Sequence, residues 1–340
     1  MQAAKRMGQQ SVHMAGDVKI IGSACIAGKM EGDGPLGRSF DLIIDDGHWG
    51  EQSWEKAEIK MQKEAIVNAA QNAGKSLSDI NIIYSGDLLN QCVGSNFGVR
   101  ELGIPMYGLF GACSTMAESL SVGAMTIDGG FAENVICGTG SHFASAERQF
   151  RLPMEYGGQR TPTAQWTVTG AGMAVLSNEG SGPYITHVTT GKIVDKNIKD
   201  AANMGAAMAP AAIDTLVAHF EDTARTPDFY DIIITGDLGK TGYEIVRDIM
   251  HGCGYSMDRV YNDCGLMIFD PEVQDVHAGG SGCGCSALVF CGEILKRMAA
   301  GEINRALLVG TGALMSPTIT QQGESIPSIA HAVAISNIKE

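Results

Sequence analysis

No apolar run in this chain comes near the roughly 20 residues that a membrane-spanning helix needs. Runs such as residues 306–309 have the length of a strand. Residues 1–17 are polar and hold no apolar core of the signal-peptide kind, so a soluble protein is expected, able to meet a membrane through a partner. Basic charge is short: 24 Lys and Arg stand against 38 Asp and Glu, a net charge of −14. Sequence-independent nucleic-acid binding needs a basic surface, and an acidic one disfavours direct adsorption to anionic lipid. Proline is scarce at 10, while glycine reaches 44 and is spread through apolar segments. That pattern excludes low complexity and fits a compact α/β protein with many tight strand–helix turns. The cysteines number nine, an odd count, and several lie in apolar runs. A disulfide framework is therefore not expected, and a reducing compartment is. Cys283 and Cys285 have no second Cys/His pair nearby to complete a four-ligand zinc site. The glycine run that holds them lacks the Lys-Ser/Thr ending of a phosphate loop.

What is present is ample core material, 44% hydrophobic against 18% charged residues, arranged twice. Gly111-Ala112-Cys113-Ser114 aligns with Cys283-Gly284-Cys285-Ser286, which pairs Cys113 with Cys285 at an offset of 172. Gly138-Thr139-Gly140 and Gly310-Thr311-Gly312 repeat that offset. Ile82-Ile83-Tyr84-Ser85-Gly86-Asp87-Leu88 resembles Ile232-Ile233-Ile234-Thr235-Gly236-Asp237-Leu238, and Val175-Leu176-Ser177-Asn178 resembles Ala334-Ile335-Ser336-Asn337. Four blocks in the same order argue for a duplication, with halves expected at 18–180 and 181–340.

Each half reads as alternating strands and helices. In the first, strands are predicted at 80–85, 106–110, 135–138 and 172–177, with a helix over 114–127 closed by Gly129-Gly130. That helix carries one charge, Glu118, so it is expected to be buried on all sides. The second half gives strands at 231–235, 306–309 and 332–336 and a helix over 286–300. Two such helices need a shared layer, which sheet–helix–sheet stacking supplies.

Duplicated halves with a cysteine opening the first central helix resemble the thiolase and ketoacyl-synthase superfamily, as does Gly170-Ala171-Gly172-Met173. Longer irregular strings are similar to the stage V sporulation protein AD family. These include Asp33-Gly34-Pro35-Leu36-Gly37, Gly86-Asp87-Leu88-Leu89-Asn90-Gln91, Leu109-Phe110-Gly111-Ala112-Cys113-Ser114-Thr115 and Glu155-Tyr156-Gly157-Gly158-Gln159. The likeness runs from about residue 20 to 337. It implies a five-layered α-β-α-β-α fold with two central buried helices and binding of dipicolinic acid, carried with or without calcium. It also implies partnership with membrane subunits of a spore dipicolinate channel complex, a place at the spore inner membrane through them, and a homodimer formed through a first-half strand.

Condensing enzymes of the superfamily need a thiolate, a base and an oxyanion hole. Cys113 fits the nucleophile's place, where a helix N-terminus favours a thiolate. The resemblance expects a histidine after the second-half strand at 231–235, but Asp237 stands there. It expects another histidine or asparagine in the glycine-rich turn, where Ser281 stands. An ionised carboxylate cannot donate to an oxyanion. The expectation is a binding protein and not an enzyme, with an acyl-transfer enzyme using Cys113 as the alternative and a purely structural adaptor as a third reading. His142 is a candidate for the pocket lining. Arg148 and Arg151 are candidates for bidentate contacts to carboxylates, and Lys240 is a weaker one. Asp87 and Asp237 occupy equivalent turns, where each could meet calcium, bond a protonated ring nitrogen, or cap the turn.

Overall fold

A computed structural model describes residues 5–150 and 160–340. Ten strands build the frame: β1 (Lys19–Ala27), β2 (Ile82–Gly86), β3 (Met106–Leu109), β4 (Asn134–Ser141) and β5 (Gly170–Ser177), then β6 (Tyr184–Thr189), β7 (Ile232–Thr235), β8 (Tyr261–Asp263), β9 (Arg305–Ala313) and β10 (Ser328–Ser336). The first five lie in the spatial order β1-β5-β4-β2-β3 and the second five in the order β6-β10-β9-β7-β8, the same permutation twice. In both sets the last strand in sequence runs antiparallel to its neighbours and the other pairings are parallel. The two sets meet at one register pair, Tyr184 with Lys19.

Helices α1 (Trp54–Asn72) and α2 (Val93–Val99) cover the outer face of the first sheet. α3 (Thr115–Asp128) is the first central helix, and α4 (Phe143–Phe150) follows β4. α5 (Met204–Thr223) and α6 (Gly239–Gly252) cover the second sheet. α7 (Cys283–Leu288) runs through a π-helical turn, Val289–Ile294, into Leu295–Ala299. α3 contacts strands of both sheets and packs on α7, so the layers are helix, sheet, helix pair, sheet, helix, as expected. Burial on both faces explains the apolar composition of the central pair: Met116, Ala117, Leu120, Ala124 and Phe290 are all inaccessible to solvent. Close approach needs small residues there. A Cβ on Gly310 of β9 would stand 2.7 Å from the Cβ of Ala117 in α3.

Boundaries shift in one informative place. The second central helix begins at Cys283 rather than 286 and is not regular throughout. Its widened turn lets Gly292 lie against Phe40 and Cys25, where a side chain would not fit. Among the described residues no helix is long and apolar enough to cross a membrane.

Candidate functional site

The turn from β3 into α3 holds the site. β3 ends at Leu109, Gly111 precedes the turn, Ala112 takes a left-handed φ of 52°, and Ala112–Ser114 forms a single 3-10 turn. A left-handed conformation at a residue with a Cβ is strained, and it aims the next side chain, Cys113, into the molecule. Cys113 is buried and borders a cavity of about 280 Å³. Leu88, Phe110, Phe150, Met204, Leu314 and Met315 give that cavity apolar walls. Thr167, Ser281, Ser316 and Glu147 supply its polar side chains, and Glu147 accepts a hydrogen bond from Thr167 Oγ1 at 2.9 Å.

Asp237 lies directly behind the sulfur. Its Oδ1 accepts from Thr311 Oγ1 at 2.8 Å, and its Oδ2 accepts from the Gly282 N–H at 2.9 Å and from Ser281 Oγ at 3.4 Å. The Cys113 thiol donates to the same carboxylate. Burial pushes Asp237 up to about 6 against these four donors. Burial, then the charge of Asp237, pushes the Cys113 thiol well above its ordinary value, with the Gly282 N–H opposing. At neutral pH the pair is therefore a neutral thiol on a carboxylate. That is the reverse of an activated nucleophile, whose thiol is held low by a cation or a helix N-terminus.

Among the described residues no histidine, lysine or arginine lines the cavity. His142 lies outside it. Its Nδ1 accepts from the Ala144 N–H at 3.2 Å, which leaves Nε2 to donate to the Gly47 carbonyl at 2.7 Å. It is a loop anchor. His277 holds the Thr161 carbonyl at 2.8 Å and Asp275 at 3.0 Å, and His331 accepts from the Gly191 N–H. Arg148 turns away from the cavity, half-exposed, to pair with Glu55 and to lie over the Trp54 ring. Arg151 falls outside the described residues. Lys240 is exposed and not part of the lining. Asp87 is a cap: its oxygens accept from the Leu89 N–H at 2.8 Å and from the N–H and hydroxyl of Ser95 at 2.7 and 2.6 Å, at the start of α2. Of the six residues singled out in sequence, Cys113 and Ser281 line the cavity and Asp237 backs it, while Asp87, His142 and Arg148 do other work. Because Arg148 is an exposed ion-pair partner, Arg148→Ala is expected to change affinity for any cavity ligand by less than about threefold. Calorimetry on that variant checks it, and a tenfold loss would place its guanidinium on the ligand.

Glu147, Phe150 and the 314–316 segment were not singled out. Helical spacing held the clue for α4. Ala146, Glu147 and Phe150 share one face at intervals of three and four, and Arg148 is a third of a turn off it.

The fold is that of known condensing enzymes. The 3-oxoacyl-[acyl-carrier-protein] synthase III of Aquifex aeolicus VF5 superposes with a TM-score of 0.55 at 12% identity, covering 94% of this chain and 99% of that one. The tetronic acid condensing enzyme AbyA1 gives 0.59 at 16% identity, covering 94% and 99%. OleA of Xanthomonas campestris gives 0.59 at 12% identity, covering 94% and 98%. These likenesses define a thiolase-like protein with a duplicated core. Its sequence is more specific: the model for stage V sporulation protein AD (SpoVAD) matches residues 8–336, and the stage V sporulation protein AD of Bacillus subtilis (strain 168) is 46% identical over 329 residues, 97% of each chain. The chain belongs to the stage V sporulation protein AD family and is a sporulation protein.

Proposed function

We propose that this protein binds dipicolinic acid in the cavity beside Cys113 and does no chemistry on it. The observation that carries the reading is Asp237. By the sequence resemblance it stands where a condensing enzyme needs an imidazole, it accepts a hydrogen bond from the neutral Cys113 thiol, and it engages the Gly282 N–H. A carboxylate in that place repels an enolate and cannot donate to an oxyanion. The apolar walls, with Phe110 and Phe150 among them, suit a flat pyridine ring.

The two ligand carboxylates need compensation, and the only charged side chain of the described lining is Glu147. The calcium chelate carries less charge into that lining than the free dianion. Calcium would arrive with the ligand, since no three acidic, histidine or cysteine side chains cluster among the described residues to hold a metal. The protein works beside the membrane subunits of a dipicolinate channel complex. It pairs with a second copy along β3, which among the described residues bonds only to β2 and leaves Tyr107 63% exposed.

Isothermal calorimetry with dipicolinate, with and without calcium, tests the proposal. Saturable binding at one ligand per chain is expected, tighter with calcium. No heat at millimolar ligand in either condition overturns it.

A further inference from the structure

A second polar group lies behind the back wall of the cavity, between α1, α2 and α4. Glu58 and Gln62 stand four apart on α1 and point inward, 1% and 0% exposed. Asp87, fully buried, faces them from the turn after β2. Glu58 Oε2 accepts from Ser145 Oγ at 2.5 Å. Glycine at residue 94 lets α2 come close to all three. A Cβ there would stand 2.7 Å from Gln62 Nε2, 3.1 Å from Glu58 Oε1 and 3.2 Å from Asp87 Cγ. Four buried side-chain atoms of α1 and β2 have no hydrogen-bond partner: Glu58 Oε1, both amide atoms of Gln62, and Ser85 Oγ.

Two buried carboxyls at this separation do not both ionise without a cation. Among the described residues the neighbouring titratable groups supply none. Glu55 of α1 is spent on Arg148 of α4, His142 just before α4 is spent on Gly47, Cys283 of α7 is a neutral thiol, and α2 contributes N–H groups and Ser95. Asp87 receives donors on both oxygens and is the group that carries the charge. Glu58 receives one donor and keeps a free oxygen, so it carries the proton. A metal ion would not satisfy the unpartnered Gln62 Nε2, which is a donor. A water can donate to the Gln62 carbonyl and accept from the amide or from protonated Glu58.

We propose that Glu58 and Asp87 form an acid pair holding a single proton, completed by buried water, and that this pair fixes the back wall of the cavity. The wall connection is direct. Ser145 precedes Ala146 and Glu147, and Asp87 precedes Leu88, all of which line the cavity. Burial and then the Asp87 charge raise Glu58 well above its ordinary value, in line with the proton placement.

The test compares the whole chain with Glu58→Gln and Glu58→Ala across pH 5 to 9, and it does not depend on what the cavity binds. A carboxyl whose folded value is raised loses stability as pH rises from its unfolded value to its folded one. One proton gives up to about a tenfold fall in the folding constant per pH unit. Glu58→Gln, which keeps the shape of the protonated form, is expected to remove that slope and so to be at least as stable as wild type near pH 7. Glu58→Ala is expected to be less stable throughout and to speed amide exchange of residues 143–150 by at least about tenfold, with Glu58→Gln close to wild type. An unchanged slope in Glu58→Gln, or exchange in 143–150 equal in all three proteins, overturns the proposal. A high-resolution crystal structure with no solvent density between Glu58, Gln62 and Ser85 overturns its hydration.

Discussion

Replacing Asp237 by alanine is expected to cost about 2–4 kcal/mol of folding stability at pH 5, because it strands several buried donors. For a chain of this size that is a fall in Tm of roughly 3–6 °C. The stranded groups are the Thr311 and Ser281 hydroxyls, the Gly282 N–H and the Cys113 thiol. The loss depends on pH with a definite sign. Burial raises Asp237 from 3.8 to about 6, so the folded protein keeps this proton after the unfolded chain has released it. The stability contributed by the side chain is full below about pH 4, declines as pH rises to about 6, and is level above. The gap between wild type and Asp237→Ala therefore narrows from pH 5 to pH 8. Urea unfolding at the two pH values checks it. A gap that widens with pH would mean that Asp237 is a stabilised anion and not a carboxylate ionised at a cost.

Ala146→Phe should abolish ligand binding while leaving the fold in place. Ala146 is buried on the cavity face of α4, in one cluster with Leu88, Cys113 and Cys283. A phenyl group there has only the cavity to enter. Affinity for calcium dipicolinate should fall at least about 100-fold, near 2.7 kcal/mol. Overpacking should cost about 1–3 kcal/mol of stability. Calorimetry beside circular dichroism separates the two effects. Unchanged affinity in a folded variant would move the ligand out of this cavity.

How much of this was legible in the sequence follows from which residues the layers bury. The central elements read correctly because burial on both faces writes continuous apolar runs, as in β4 and α3, and because the duplication wrote them twice. The resemblance puts Asp237 where the superfamily has a histidine, and in the structure its carboxylate stands by the Cys113 thiol. The outer layer was harder. α1 buries Glu58 and Gln62 on its inner face, which breaks the apolar stripe that marks a helix in sequence. Glu58 is also the α1 member of the acid pair proposed with Asp87, so the lost periodicity and the proposed chemistry share a residue. Arg148 misled for a different reason. Charge drew notice to it in a segment whose cavity face is carried by its neighbours Ala146, Glu147 and Phe150. Asp87 and Asp237 look equivalent in sequence because both follow a strand and a glycine. Only the packing separates them: Asp87 caps α2, while Asp237 meets the thiol.

The measurement that bears most directly on a cavity that holds without transforming is intact-mass analysis of the protein after incubation with an acyl-CoA at neutral pH. A neutral Cys113 thiol resting on a carboxylate should leave the mass unchanged. An acyl adduct that disappears in Cys113→Ser would contradict the account and make this chain a working condensing enzyme.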